Sequence, residues 1–270
     1  MPIHPTAVVH PESDIDASVD IGPNVYIEKN VRIGAGTRLY PGVFIGANTT
    51  IGRDCVIHPS AVVGHVSQDR KFKGEQTFLI MGDRNIVREF AALHRGSVPG
   101  GSTIIGNDNL FMACSHVAHD CVIGNHVTAS NGSLLAGHVH VEDHVILSGG
   151  AAVHQFCRIG TLAMIGGLAR VTMDVPPYML LEGNSTIRAI NRVGIQRSGM
   201  SPEAQTAIKQ TYKAFYRSGL PMTHAIELID KESSFPEVRR FVDFVKGPSK
   251  RGISKHARVR RTEVEANGEP

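Results

Sequence analysis

Residues 21–63 read IGPNVYIEKNVRIGAGTRLYPGVFIGANTTIGRDCVIHPSAVV. An aliphatic residue returns at every sixth place: Ile21, Ile27, Ile33, Leu39, Ile45, Ile51, Ile57 and Val63. The rhythm extends back through Ile15, Val9 and Ile3. It resumes at Ile105 and runs through Phe111, Val117, Ile123, Ala129, Leu135, Val141, Leu147, Val153, Ile159, Ile165 and Val171. An α-helix repeats at 3.6 residues and a strand at 2, so a sustained period of six fits neither. It predicts a parallel β-helix, in which each hexapeptide supplies one short face and three make a coil. The aliphatic residue points into a narrow prism, and residues 18 apart stack on strands about 4.8 Å apart. Roughly nine coils give a rod about 43 Å long at that spacing. The position after the aliphatic residue is often glycine (Gly22, Gly34, Gly46, Gly52, Gly106, Gly124, Gly160), which suits a tight corner.

The rhythm breaks twice. One break falls between Val63 and Ile80 and contains HVSQDRKFKGEQT; the other falls between Ile86 and Ile105 and contains HRGSVPGGST. Insertions in repeat proteins become surface loops that often carry function, here near 64–79 and 95–104. After Val171 the period fails. Ser201-Pro202-Glu203 reads as a helix cap followed by proline at the first helical position. Helices are expected from there to Gly219, over Met222–Glu232 and over Pro236–Lys246. The expected division is therefore a mainly β solenoid over 1–185, a small α-helical domain over 186–247 and a disordered tail over 248–270. The helices are placed to cap the open prism end, where strand edges are unpaired.

Composition narrows the function. A net charge of +3, from 28 basic and 25 acidic residues, gives no argument for nucleic acid. No apolar run reaches the length of a membrane span, and the start MPIHPTAVVHPE does not read as a signal peptide. Cys55, Cys114, Cys121 and Cys157 lack CxxC spacing and read as reduced core or corner residues. A cytoplasmic protein is expected.

Seven of the 14 histidines fall between His116 and His154. The 18-residue stack puts His119, Gly137 and Gln155 in one column, Asp120 and His138 in the next, and Ala118, Ala136 and His154 beside them. A neutral imidazole, with an ordinary pKa of about 6.5, is a good general base near pH 7. A glycine lets a substrate approach the backbone, whose N–H can hold an oxyanion. Base and bare amide together suit acyl transfer to a hydroxyl. No Gly-x-Ser-x-Gly nucleophile elbow is present and no cysteine shares the column, so direct attack by the acceptor is expected.

Several local strings carry a closer resemblance: SQDRKF (67–72), GDRNIVRE (82–89), HRGS (94–97), SHVAHDC (115–121), AGHVHVEDH (136–144), VHQF (153–156), DVPPY (174–178) and YRSG (216–219). On these the chain resembles, over residues 1–250, the bacterial acyl-[acyl-carrier-protein]–UDP-N-acetylglucosamine O-acyltransferases, which catalyse the first step of lipid A synthesis. The resemblance implies a left-handed coil, although crossovers in parallel sheets are usually right-handed. It implies a homotrimer with the site in a groove between prisms, an acyl carrier protein thioester as co-substrate, UDP-N-acetylglucosamine as acceptor, and no further cofactor or metal. His119 matches the base acting on the sugar 3-hydroxyl, Asp120 its acidic neighbour, and Gly137 the oxyanion amide. His116, His138 and Gln155 match residues lining the nucleotide-sugar site, and Asp69, Lys71 and His94 match residues around the sugar and acyl group. Asn191 and Arg197 match the region touching the nucleotide and phosphopantetheine ends. Gly167 matches a position where a larger side chain shortens the acyl pocket, so a long chain is expected.

The chain departs from the family pattern after Asn191. Where the family usually carries Gly-Leu-Lys-Arg-Arg-Gly, this chain reads Gly194-Ile195-Gln196-Arg197-Ser198-Gly199. Two cations are lost, and the basic residues after Gly247 are candidates to replace them. Two alternatives stand beside this reading: a related transferase acting on a 3-amino sugar, and a zinc lyase of the carbonic anhydrase kind drawing on His116 and His119. A solenoid that only binds would leave the histidine cluster without work.

Overall fold

The computed structural model describes residues 3–232 and 235–256. Three parallel sheets of nine, eight and eleven strands wrap one prism. The first sheet runs from Val8–Val9 to Arg170–Val171 and the second from Asp14–Ile15 to Arg158–Ile159. The third runs from Asp20–Ile21 through Met164–Ile165 into an antiparallel hairpin, Met179–Glu182 with Thr186–Ile190. Register follows the expected stack: Val8 lies on Tyr26, Asp14 on Arg32 and Asp20 on Arg38. The sixfold aliphatics from Ile21 to Val63 are almost wholly buried, whereas Ile3, at the open N-terminal end, is 40% exposed.

A second inward column lies two places before each aliphatic: Val19, Val25, Val31, Thr37, Val43, Cys55 and Ala61, all fully buried or nearly so. Cys121 and Cys157 occupy the same slot farther on, and all four cysteines are free thiols, with Cys114 exposed. Two inward side chains per hexapeptide fill the prism, one large and one mostly smaller.

The corners correct one sequence expectation. The left-handed backbone that turns each corner sits three places after the aliphatic, at Asn24, Asn30, Asn48 and Asp54 (φ 54–59°). The glycine after the aliphatic serves close stacking instead. At Gly34 a Cβ would lie 2.8 Å from the carbonyl carbon of Gly52 on the next coil, which no side chain tolerates.

The loops correct another. The spacing predicts Ile80 and Ile86 as inward residues, but both face solvent, at 45% and 38% exposure, and the core holds Met81, Val87 and Leu93. Val63 pairs with Leu93, two hexads farther along the chain than an unbroken coil would place its partner. Met81 pairs with Ile105, one hexad farther than an unbroken coil would place its partner. Both insertions are therefore whole hexads. That keeps the phase, because a slip of one residue would turn every following side chain to the other face.

Beyond the hairpin come α1 (Arg192–Arg197), α2 (Pro202–Arg217), α3 (Met222–Glu232) and α4 (Pro236–Lys246). Ser201 caps α2 by accepting from the Ala204 N–H, and Pro202 opens it. Phe215 and Phe241 meet edge to face across α2 and α4, with centroids 5.2 Å apart. The third sheet continues past the expected boundary at 185 to Ile190, because its edge carbonyls and amides find an antiparallel partner there.

Residues 248–256 do not form the expected disordered tail. They run back along the last coil: Gly252 O accepts from the Asp174 N–H, the Ser254 N–H donates to Asp174 O, and Lys255–His256 pairs with Thr186–Ile187. The gain is satisfaction of an otherwise open sheet edge. The remainder of that expectation, 257–270, lies outside the described residues. Arg158 ties solenoid to helices, with Nε 2.8 Å from the fully buried Asp174 carboxylate and Nη2 donating to Phe244 O at 3.1 Å. Among the described residues, no helix is long and apolar enough to cross a membrane.

Candidate functional site

The face of the first sheet and its corner with the second sheet form a cleft of about 670 Å³. Successive coils supply His116, Ala118 and His119, then Leu134 to Gly137, then Ala152 to Gln155, with Arg170 beyond. The first inserted loop brings Gln68, Asp69 and Arg70 over it. The stacking expected for His119, Gly137 and Gln155 thus places all three on one wall.

His119 Nδ1 lies 2.8 Å from Asp120 Oδ2. Burial pushes the Asp120 carboxyl up, but the Ser97 hydroxyl, the His119 ring, the Ser97 amide and His138 together hold it below the ordinary carboxylate range. It is therefore ionised at neutral pH and can only accept, so Nδ1 carries the proton, and in the neutral ring Nε2 is left with the lone pair. The ring lies across Gly137: a Cβ there would sit 2.6 Å from Nε2. The Gly137 N–H has no hydrogen-bond partner among the described residues. A base with an orienting carboxylate and a free backbone donor thus meet within one corner.

Ser97 was not legible as a site residue. Its hydroxyl donates to Asp120 Oδ2 at 2.6 Å, and its N–H reaches both carboxylate oxygens at 3.1 Å. The insertion after His94 carries it there. The only signal was its place in HRGS, since a loop residue has no period to read.

The other histidines surround this pair. His138 meets His119 edge to face at 5.2 Å, puts Nε2 3.8 Å from Asp120 and stacks on Phe156. His94 is buried, with Nδ1 2.7 Å from Val66 O, and its ring lies 5.0 Å from that of His116. Burial lowers both pKa values, that of His116 to about 4, so both stay neutral at pH 7.

Not every expected residue lines the cleft of this chain. Lys71 is exposed on the loop, its N–H donating to Asp69 Oδ1. Asn191 is buried and caps α1: Nδ2 donates to Leu162 O at 2.8 Å and Oδ1 accepts from the Gly194 N–H. Its amide is thus committed within the fold. Arg197 is exposed at the end of α1. Gly167 lies at the corner between the third and first sheets, whereas His119 lies between the first and second, so the two mark opposite edges of one face. A Cβ at Gly167 would meet only Gly149 O, at 3.7 Å.

Among the described residues, one group has metal-compatible convergence: His119, Asp120 and His138, with ligand atoms within 4.8 Å of one another. It is not the His116–His119 pair that the zinc alternative draws on. An ion bound through Nδ1 would displace the proton shared with Asp120.

The chain is similar to known proteins over most of its length. Residues 174–254 match the family described as Udp N-acetylglucosamine O-acyltransferase, domain 2, and residues 30–65 match the bacterial transferase hexapeptide family. The acyl-[acyl-carrier-protein]–UDP-N-acetylglucosamine O-acyltransferase of a Janthinobacterium species is 48% identical, over 93% of this chain and 98% of its own. That of Anaeromyxobacter dehalogenans is 45% identical, over 94% and 100%. The solved UDP-N-acetylglucosamine acyltransferase of Francisella novicida superposes with a TM-score of 0.90 at 41% identity, covering 95% of each chain. That of Campylobacter jejuni gives 0.89 at 30% identity, covering 95% and 100%. The coil shares the left-handed β-helix fold of these structures. The chain belongs to the acyl-[acyl-carrier-protein]–UDP-N-acetylglucosamine O-acyltransferase family.

Proposed function

We propose that the chain transfers an acyl group, expected to be a 3-hydroxyacyl chain, from acyl carrier protein to the 3-hydroxyl of UDP-N-acetylglucosamine, the first step of lipid A synthesis. The observation that carries this reading is the His119–Asp120 pair lying over the unpartnered Gly137 amide. His119 Nε2 takes the proton of the sugar hydroxyl as its oxygen bonds to the thioester carbonyl carbon. The tetrahedral oxyanion is held by the Gly137 N–H. The C–S bond then breaks, and the proton on Nε2 passes to the departing thiolate, which restores the base. Asp120 stays ionised throughout and stabilises the imidazolium between the two transfers.

The remaining assignments belong to the same reading and rest on the family resemblance. His116 and Gln155 on the cleft wall, with His138 behind, face the nucleotide sugar. Asp69 and Lys71 on the loop, with His94 beneath it, order the sugar and the acyl carbonyl. The apolar floor of Leu134 and Ala152 runs from His119 toward the Gly167 edge, which supports a long acyl chain lying across the face. Asn191 acts by fixing the start of α1, and Arg197 on that helix meets the phosphopantetheine or nucleotide end. The thioester brings its own activation, so no further cofactor or metal is required. We place the protein in the cytoplasm, as a homotrimer in which a neighbouring prism walls the open side of the groove.

The test supplies acyl carrier protein loaded with 3-hydroxyacyl chains of several lengths, with UDP-N-acetylglucosamine or its 3-amino counterpart. The expected product is the 3-O-acyl sugar nucleotide, lost in His119→Ala with the fold intact. Preference for the 3-amine would replace the acceptor, and full turnover in His119→Ala would remove the base. Light scattering checks the trimer.

A further inference from the structure

The segment 249–254 binds the coil that carries the outer end of the candidate site. Ser249 Oγ accepts from the Arg251 and Gly252 N–H groups, and Gly252 and Ser254 hydrogen-bond to Asp174 at 2.8 Å. From this anchored strap two cations reach back to a coil far earlier in the chain. Arg251 Nε donates to the Gln155 carbonyl at 2.8 Å. Lys250 Nζ lies 4.2 Å above the centroid of the Phe156 ring. That ring stacks on His138, centroids 4.6 Å apart and planes within 8°. His138 in turn meets His119 edge on. Phe156 turns its corner with φ +66°, a conformation disfavoured for a large side chain that persists only where its surroundings hold it. The Phe156 N–H to Gly137 O bond holds it, as the His138 N–H to His119 O bond holds the same turn one coil earlier, and Lys250 then covers the ring from outside.

We infer that Lys250 and Arg251 are positioning residues for the transfer reaction: through Phe156 and the Gln155 backbone they fix His138 beside the Asp120–His119 pair. This rests on the acyl-transfer reading above. The charge argument agrees with the geometry. His138 is faced by Asp120, His119, Lys250 and Asp69. Burial lowers its pKa first, Asp120 opposes this, and His119 and Lys250 lower it further. Lys250 thus helps keep the ring neutral, as a donor–acceptor in the site requires.

The experiment compares Lys250→Met, Lys250→Arg, Arg251→Ala and the Lys250→Met/Arg251→Ala pair in the full chain. Three readouts are taken: kcat and KM across pH, the thermal midpoint, and the His138 Cε1–H titration by NMR. Lys250→Met should lose about two- to fivefold in kcat, the reach of an exposed cation–π contact, and the double variant about tenfold or more. The acid limb of the rate profile and the NMR titration should both move to higher pH in Lys250→Met, because a neighbouring cation disfavours the protonated ring. Lys250→Arg should restore both. Unchanged kcat and an unmoved His138 titration in Lys250→Met would overturn the inference. So would a loss accompanied only by a lower thermal midpoint. The NMR titration needs no turnover, so a wild-type protein that makes no product would sink the acyl-transfer reading and leave the placement of His138 separately decided.

Discussion

Ser97→Ala removes one hydroxyl from the carboxylate that orients the base. The hydroxyl is 2.6 Å from Asp120 Oδ2, and the Asp120 side chain is 9% exposed, so solvent replaces little of the lost bond. A hydrogen bond to a charged group contributes about 1.5–3 kcal/mol. The His119 contact and the Ser97 N–H remain on Asp120, so only part of that is lost to the transition state. A loss of about 1.4 kcal/mol lowers kcat about tenfold. KM for the sugar nucleotide should change little, because Ser97 lies behind the pair and lines no part of the cleft. The Asp120 pKa should rise toward the ordinary carboxylate value. The sign matters for stability. A carboxylate whose folded pKa is depressed stabilises the fold above its unfolded pKa, and that stability is lost as pH falls through the folded value. Ser97→Ala should therefore be less stable at neutral pH and less sensitive to acid. Steady-state rates with acyl carrier protein thioester, and thermal melts at pH 7 and well below the ordinary carboxylate value of about 3.9, measure both. Ser97→Thr keeps a hydroxyl and should retain most of the rate. A kcat for Ser97→Ala within twofold of wild type, with melting unchanged, would refute the reasoning.

Gly137→Ala should cut kcat about 100-fold, because the new Cβ would sit 2.6 Å from His119 Nε2 and must swing the ring off its line; circular dichroism should show the solenoid intact, and a rate near wild type would mean that the base lies elsewhere. Thermal stability should fall as pH drops from about 6.5 to about 4. The unfolded His116 ring takes a proton near its ordinary 6.5 while the buried one does so only near 4, and His94 shifts the same way. His116→Gln should flatten that slope, and an unchanged pH dependence would contradict the burial argument. Arg158→Met leaves the fully buried Asp174 without its charged partner. It should cost about 3–5 kcal/mol, lowering the melting midpoint on the order of 10 °C; a midpoint within a degree of wild type would show that the joint to α4 is not held there.

Ile21 to Val63 made the solenoid readable because a prism with three short faces forces one inward residue per hexapeptide. The second inward column was hidden, since Val, Thr, Cys and Ala alternate there and share only small size. Ile80 and Ile86 misled because aliphatic residues stand on both faces of those strands, and pairing decides which side is inside. The His119–Gly137–Gln155 column was accessible for the opposite reason. No insertion falls between those coils, so arithmetic in steps of 18 maps directly onto space.

The sequence by itself therefore determined the coil, its repeat and the wall on which an imidazole faces a bare amide, because stacking in a solenoid is local and periodic. Only the tertiary structure decided what reaches that wall from outside the period: Ser97 from a loop onto Asp120, and Lys250 and Arg251 from the far end of the chain onto Phe156 and Gln155. Those contacts join residues whose separations obey no repeat, and they form only once the chain has folded back on itself.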